Sequence, residues 1–140
     1  MLILDTDHLS LVDKDTIAAF NIGRRLAAVP PGEVAVSIIT YEEQMRGWLS
    51  YVAQANNSVR QVEAYQKLRL FVERFHQIPL IDYDTAASVE FQRLRQEGVR
   101  IGTMDLKIAA TCIARGATLL TRNLRDFNKV PGLRAEDWSA

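Results

Sequence analysis

The sequence predicts a three-layer α/β/α fold on a mainly parallel central sheet of four to five strands. Two observations carry this expectation. Short apolar runs alternate with longer helical patterns along the whole chain, as strands do when helices connect them. Several of those runs also end in polar side chains, as buried strands do where they leave the carboxyl edge of a sheet. At 140 residues the chain is expected to form a single domain, 1–140, large enough to bury a core without disulfides or other staples.

Leu2 to Leu4 read as the first strand, followed by Asp5 and Asp7. A helical pattern lies near 14–28. Val34 to Val36 read as the second strand and run into Ser37. A helix over 40–55 follows, with Tyr41, Met45, Trp48, Leu49 and Val52 forming one stripe at helical spacing. At about 100° per residue, Glu43 falls nearly opposite that stripe and Glu42 at its edge. Gly47 sits one turn beyond Glu43. Glycine inside a helix costs about 1 kcal/mol against alanine, so room for something bulky beside the Glu43 carboxylate is one reason for it. A further helix over 58–77 closes at His76, where a helix-dipole role is expected. Pro79 to Ile81 supply a third strand, and 84–97 another helix. The segment 103–115 carries Leu106, Ile108, Ala109, Ala110, Cys112, Ile113 and Ala114 around nearly its whole circumference. It predicts a buried central helix with Asp105 in its first turn, capped by Gly116. Thr118 to Leu120 form the fourth strand, running into Thr121, Arg122, Asn123 and Asp126. A short last strand is expected near Leu133.

Composition narrows the function classes. Hydrophobic residues make up 48% and charged residues 24%, an ordinary globular balance with no disordered signature. Cys112 is the single cysteine; an internal disulfide is excluded, its apolar neighbours place it in the core, and a cytoplasmic location is expected. The start, MLILDTDHLS, is too short and too acidic for a signal peptide, and no apolar run approaches the ~20 residues of a membrane span. Seventeen basic and seventeen acidic residues give a formal net charge of zero. Nucleic acid must therefore be recognised by a local arrangement, not by a global field. Arginines such as Arg24, Arg25, Arg46, Arg100, Arg122 and Arg125 suit phosphate, and equally suit solvated helix faces.

Parallel strands would bring Asp5, Asp7, Ser37, Glu42 or Glu43, Thr121, Asn123 and Asp126 to one edge, with Asp105 joining from the buried helix. Ionised carboxylates held together imply a cation. Oxygen donors without histidine or cysteine partners favour Mg²⁺ or Mn²⁺ over zinc. Such an ion can activate water and offset charge on a phosphate. Each acid also has a plainer reading. Thr40 to Glu43 match a capping box, Asp105 complements a helix dipole, and Asp7 caps the turn after the first strand. Asp5, directly after a central strand, is hardest to explain that way. His8 beside the acids is expected to be structural.

The chain resembles PIN-domain proteins of the VapC toxin type. The residues that carry the resemblance are LDTDHLS, SIITYEEQMRG and GTMDLKIAATCIARGATLLTRNLRDF, in the family's order and spacing across essentially the whole chain. The resemblance implies a divalent-metal-dependent endoribonuclease, the toxin of a toxin–antitoxin pair, with Mg²⁺ as cofactor and no other cofactor-binding residues. Asp5 matches the family's first acid and Asp105 its third. The second acid usually precedes a glycine by four residues, which selects Glu43 over Glu42. The fourth position falls on Asn123, an oxygen donor without charge, with Asp126 as a substitute. Ser37 and Thr121 fall where such proteins place supporting polar groups. RNA as substrate, a small antitoxin and a homodimer are implied as partners, and no membrane. Two alternatives compete. LILDTD also fits the start of a haloacid-dehalogenase-like phosphatase, where the first aspartate is a nucleophile; this chain lacks that family's later lysine and acid pair. Asn123 is also compatible with a catalytically inactive PIN-fold module that binds RNA or protein.

Overall fold

A computed structural model describes residues 1–12 and 14–140. Five strands form one sheet: β1 (Leu2–Leu4), β2 (Val34–Ser37), β3 (Leu80–Ile81), β4 (Thr118–Leu120) and β5 (Arg134–Glu136). Their order across the sheet is β3-β2-β1-β4-β5, and every pairing is parallel. The expected parallel sheet of four to five strands is thus present with five, all of them parallel. The helices are α1 (Thr6–Leu11), α2 (Ile17–Leu26), α3 (Ile38–Gln54), α4 (Ser58–Phe75), α5 (Thr85–Gln96), α6 (Thr103–Arg115) and α7 (Leu124–Phe127), with a 3₁₀ turn over Pro31–Glu33.

Alternation along the strands divides the core in two. Ile3, Ala35 and Leu119 face one way and pack with Phe91 and Leu94 of α5 and with Leu106, Ile108, Ala109 and Cys112 of α6. Leu4, Val36 and Leu120 face the other way and meet Leu9, Ile22, Phe71, Phe75 and Trp138. The small residues of α6 let it lie close against the sheet and against α5. The Cys112 thiol is fully buried, and burial pushes its pKa up, so it is an inert core group. Gly116 ends α6 in the left-handed region at φ 61°, as its position predicts.

Several local expectations are corrected. The helix predicted near 14–28 is shorter, and α1 precedes it. Six residues are too few to show a helical period, so α1 gave no signal in the apolar pattern. The third helix starts at Ile38, not after Thr40: Ser37 is its N-cap, its hydroxyl accepting from Thr40 N at 3.1 Å, and Thr40 is fully buried inside the first turn. Leu49, placed on the core stripe from spacing, is instead exposed. The final strand lies just beyond Leu133.

Candidate functional site

The register fixes which side chains meet. Leu4 pairs with Val36 on one side and Leu120 on the other. One residue further along lie Asp5, Ser37 and Thr121, all buried at the carboxyl edge where the strand order reverses. That crevice is where parallel α/β sheets bind ligands.

Asp5 is held by both oxygens. Oδ1 accepts from Thr6 N at 2.8 Å, and Oδ2 accepts from the Thr121 hydroxyl at 2.8 Å. Asp5 also stands at the N-cap of α1. Burial raises its pKa to about 6, assisted by Asp7 and Asp105, while the bonds from Thr121 and Thr6 oppose the rise. Glu43 is raised by burial and then by Asp105; the Thr6 hydroxyl, donating to Oε1 at 3.4 Å, opposes this. Asp105 is raised by burial and by the charges of Asp126 and Asp7. The three acids therefore feel one another or a shared acidic neighbour. Among the described residues no basic side chain contributes to offsetting any of them.

The two glutamates separate. Glu42 turns to Arg46, 2.5 Å away on the exposed face of α3. Glu43 turns to Thr6 and Asp105. Because α3 starts at Ile38, Glu43 lies beyond the first turn and has no capping duty, which removes the capping-box reading. Asp105 stays in the first turn of α6, after Gly102 as N-cap, so its helix-dipole reading stands beside the functional one.

Asn123 and Asp126 act together. The Asn123 amide donates to Asp126 Oδ2 at 3.1 Å, and this bond is the first cause of a lowered Asp126 pKa, with Lys129 and Arg125 adding to it. Asn123 N donates to Thr121 Oγ1 at 3.0 Å, which ties the loop after β4 to the hydroxyl that holds Asp5. Ser37 is placed differently from Thr121: its hydroxyl serves α3 and Thr40.

Asp7 does not cap the turn after β1. Its Oδ2 accepts from Arg122 N at 3.0 Å and lies 3.3 Å from the Thr121 hydroxyl, while Oδ1 meets His8 Nδ1 at 2.9 Å. His8 is fully buried, and its Nε2 accepts from Trp138 N at 3.0 Å. A neutral ring protonated on Nδ1 satisfies both contacts. His8 thus clamps the C-terminal segment to the turn that carries the acids. Composition and spacing gave no sign of Thr6 as a Glu43 partner, or of Asp137 and Trp138 beside His8. The Asp-Thr-Asp spacing directly after a strand was the available signal, since an aspartate there is N-cap competent.

The PIN domain family profile matches residues 2–133. The chain belongs to the PIN-domain family. Over 112 residues, 77% of each protein, it is 33% identical to the tRNA(fMet)-specific endonuclease VapC of Shigella flexneri. Over 65 residues it is 38% identical to the tRNA(fMet)-specific endonuclease VapC of Salmonella typhimurium, a match spanning 44% of this chain and about half (49%) of that relative. The fold aligns with a chain of the VapBC2 crystal structure from Rickettsia felis bound to a promoter DNA fragment, with a TM-score of 0.73, 27% identity and 98% of each chain covered. Membership in the PIN-domain family sets aside the haloacid-dehalogenase reading of LILDTD. It leaves the carboxylates of this PIN domain to be assigned from their surroundings.

A divalent ion fits those surroundings in a particular way. Among the described residues no group of three or more acidic, histidine or cysteine side chains is close enough together to hold a metal ion on its own. Mg²⁺ does not require one: it keeps several waters and is commonly held by one or two carboxylates together with substrate phosphates. Acids whose pKa values are raised by burial and by neighbouring acids, with oxygen donors only, are a donor set suited to that ion.

Proposed function

We propose that this PIN-domain protein is a divalent-metal-dependent endoribonuclease. Asp5, Glu43 and Asp105 would hold Mg²⁺, with Mn²⁺ able to substitute, and Asp126, oriented by Asn123, would serve at the fourth position. The observation that carries this reading is the carboxyl of Asp5, buried at the switch point of the sheet and surrounded by acids without a compensating base. A divalent cation bound there supplies a water of lowered pKa and neutralises charge gathering on the phosphate. The protein's own part is positioning. Thr121 and Thr6 N fix the two oxygens of Asp5, and Thr6 orients Glu43. Ser37 and Thr40 fix the start of the helix that carries Glu43.

The relatives named as VapC support the role of toxin in a toxin–antitoxin pair, acting on RNA in the cytoplasm. The VapBC2 assembly supports a small protein partner that restrains the enzyme. Helix α4 leaves Val59, Val62, Tyr65 and Leu70 exposed, apolar surface that suits protein contact, including a homodimer. Among the described residues no helix is long and apolar enough to cross a membrane. The inactive-module reading rested on the uncharged Asn123, and the acid that Asn123 orients weakens it.

The test is direct. Purified protein should cut RNA with Mg²⁺ or Mn²⁺ and stop when EDTA is added. Asp5→Asn should fold and lose most of the activity. Full cleavage in EDTA would overturn the metal reading, and metal-independent RNA binding without cleavage would restore the inactive-module reading.

A further inference from the structure

We propose that the hollow beside Glu43, walled by Trp48 and Tyr51 and rimmed by Lys67, seats an unpaired base of the RNA next to the cleaved phosphate. The inference rests on the endoribonuclease reading above and specifies how that site would grip its substrate.

The hollow has a volume of about 510 Å³ and is continuous with the acids, because Glu43 and Thr6 line it as well as the site. Its remaining walls are Gln44, Gly47, Trp48, Tyr51 and Lys67. Trp48 and Tyr51 meet edge to face with ring centroids 5.7 Å apart, which offers two aromatic surfaces at nearly right angles. Aromatic faces take any base by stacking and so need no particular hydrogen-bond pattern. Lys67 Nζ stands 5.2 Å above the Tyr51 ring, at the mouth of the hollow. Its ion pair with Glu63, at 3.1 Å, is exposed on both sides and worth little, so a backbone phosphate can compete for it. Gly47 completes the arrangement. A Cβ built there meets nothing within 4 Å, so the absence of a side chain keeps the hollow open instead of relieving a clash within the protein. A second hollow, of about 560 Å³, continues past Trp48 and Lys67 along α4, giving neighbouring nucleotides a path away from the acids.

A peptide is the competing occupant. The lining belongs mainly to helices α3 and α4, which offer no free strand edge for an extended peptide to pair with. A peptide would have to enter as a helix. The direct opening onto Glu43, the crossed aromatic rings and the cation at the rim match a nucleotide better.

The test uses a short RNA that the intact protein cleaves, synthesised either whole or with an abasic ribose at each nucleotide flanking the cut. Loss of one flanking base should lower kcat/KM by about five- to a hundredfold, the range that base–aromatic stacking spans. Trp48→Ala should show a similar loss on whole RNA and no further loss on the abasic RNA. Trp48 also packs against the core, so Gly47→Leu is the second variant: its Cβ meets no protein atom within 4 Å, and the side chain takes up space in the hollow. It should fold with an undiminished urea midpoint, lose activity on whole RNA and match the unmodified protein on abasic RNA. Unchanged cleavage of whole RNA by both variants, or equal losses on whole and abasic RNA, would overturn the inference while leaving the nuclease reading intact. So would variants that cleave normally but no longer bind the antitoxin partner proposed above, since the hollow would then belong to a protein helix. If the unmodified protein cuts no RNA with Mg²⁺ or Mn²⁺, the nuclease reading fails and the base seat fails with it.

Discussion

Two adjacent rows of the sheet differ sharply. Leu4, Val36 and Leu120 lie side by side and are buried against apolar neighbours. One residue further along, Asp5, Ser37 and Thr121 are buried just as deeply, and all three are polar. The first row gains stability from leaving water. In the second row one carboxyl is held in a place where its charge is disfavoured. The apolar row and the row that carries the proposed site are therefore separated by a single residue step along three parallel strands.

The largest expected effects come from exchanging the behaviour of these two regions. Leu120→Ala, in the fully buried apolar row, should cost about 2–5 kcal/mol of stability, read as a lower urea midpoint, because it leaves a cavity. Asp5→Asn should do the opposite in metal-free protein at pH 8. The folded protein binds the Asp5 proton more tightly than the unfolded chain does, since its pKa rises from 3.8 to about 6. Stability from this group is thus present below pH ~4 and lost as pH rises through ~6, by up to roughly 3 kcal/mol. The gain from Asp5→Asn should vanish near pH 4, and Mg²⁺ should stabilise the unmodified protein far more than the variant. A variant that is less stable than its parent at pH 8 without metal would show that Asp5 is structural.

Next in size is the contrast within one helix. Glu43→Gln should lower turnover at least tenfold, whereas Glu42→Gln should lose only an exposed pair with Arg46 and stay close to the parent. Equal losses in steady-state assays would place both glutamates in the site. A smaller effect is expected at Asn123. Asn123→Asp adds a charge beside Asp126 and should tighten Mg²⁺ several-fold in calorimetric titration without RNA. It need not speed cleavage, because the extra carboxylate also repels phosphate. No tightening would leave Asp126 to act without help from position 123. The smallest effect concerns Trp138, whose buried Nε1 has no hydrogen-bond partner among the described residues. Trp138→Phe removes that unmet donor along with some packing, so the unfolding free energy from urea titration should change by less than about 1 kcal/mol. A loss of several kcal/mol would show that the indole nitrogen is satisfied in solution.

The features legible in the sequence were those set by local chemistry. Three apolar runs ending in polar groups announced β1, β2 and β4, and the small apolar residues of α6 announced a buried helix. Asp5 stood out because a charge directly after a central strand has no cheap local explanation. Other features depended on long-range pairing. Ser37 and Thr40 are both competent caps three residues apart, and spacing alone does not choose between them. The choice is made when β2 pairs with β1 as far as Val36 and with β3 as far as Ser37, opposite Ile81. Leu49 sits at helical spacing with the core stripe, yet the sheet and α4 cover only part of that face. Likewise, nothing near Asp7 or His8 in sequence could announce their tie to Trp138, 130 positions away from His8.

The placement of β1 at the centre of the sheet also governs when activity can arise. Asp5 precedes by 116 positions the hydroxyl that holds it. Both neighbours of β1 in the sheet, β2 and β4, are synthesised after it. Such distant pairings slow folding, because the chain loses loop entropy before the contact forms. A nascent chain that has not yet released β4 therefore carries Asp5 without the Thr121 that orients it. In an enzyme that cuts RNA, this long-range pairing is a timer: β4 must leave the ribosome before the acids can be set in place.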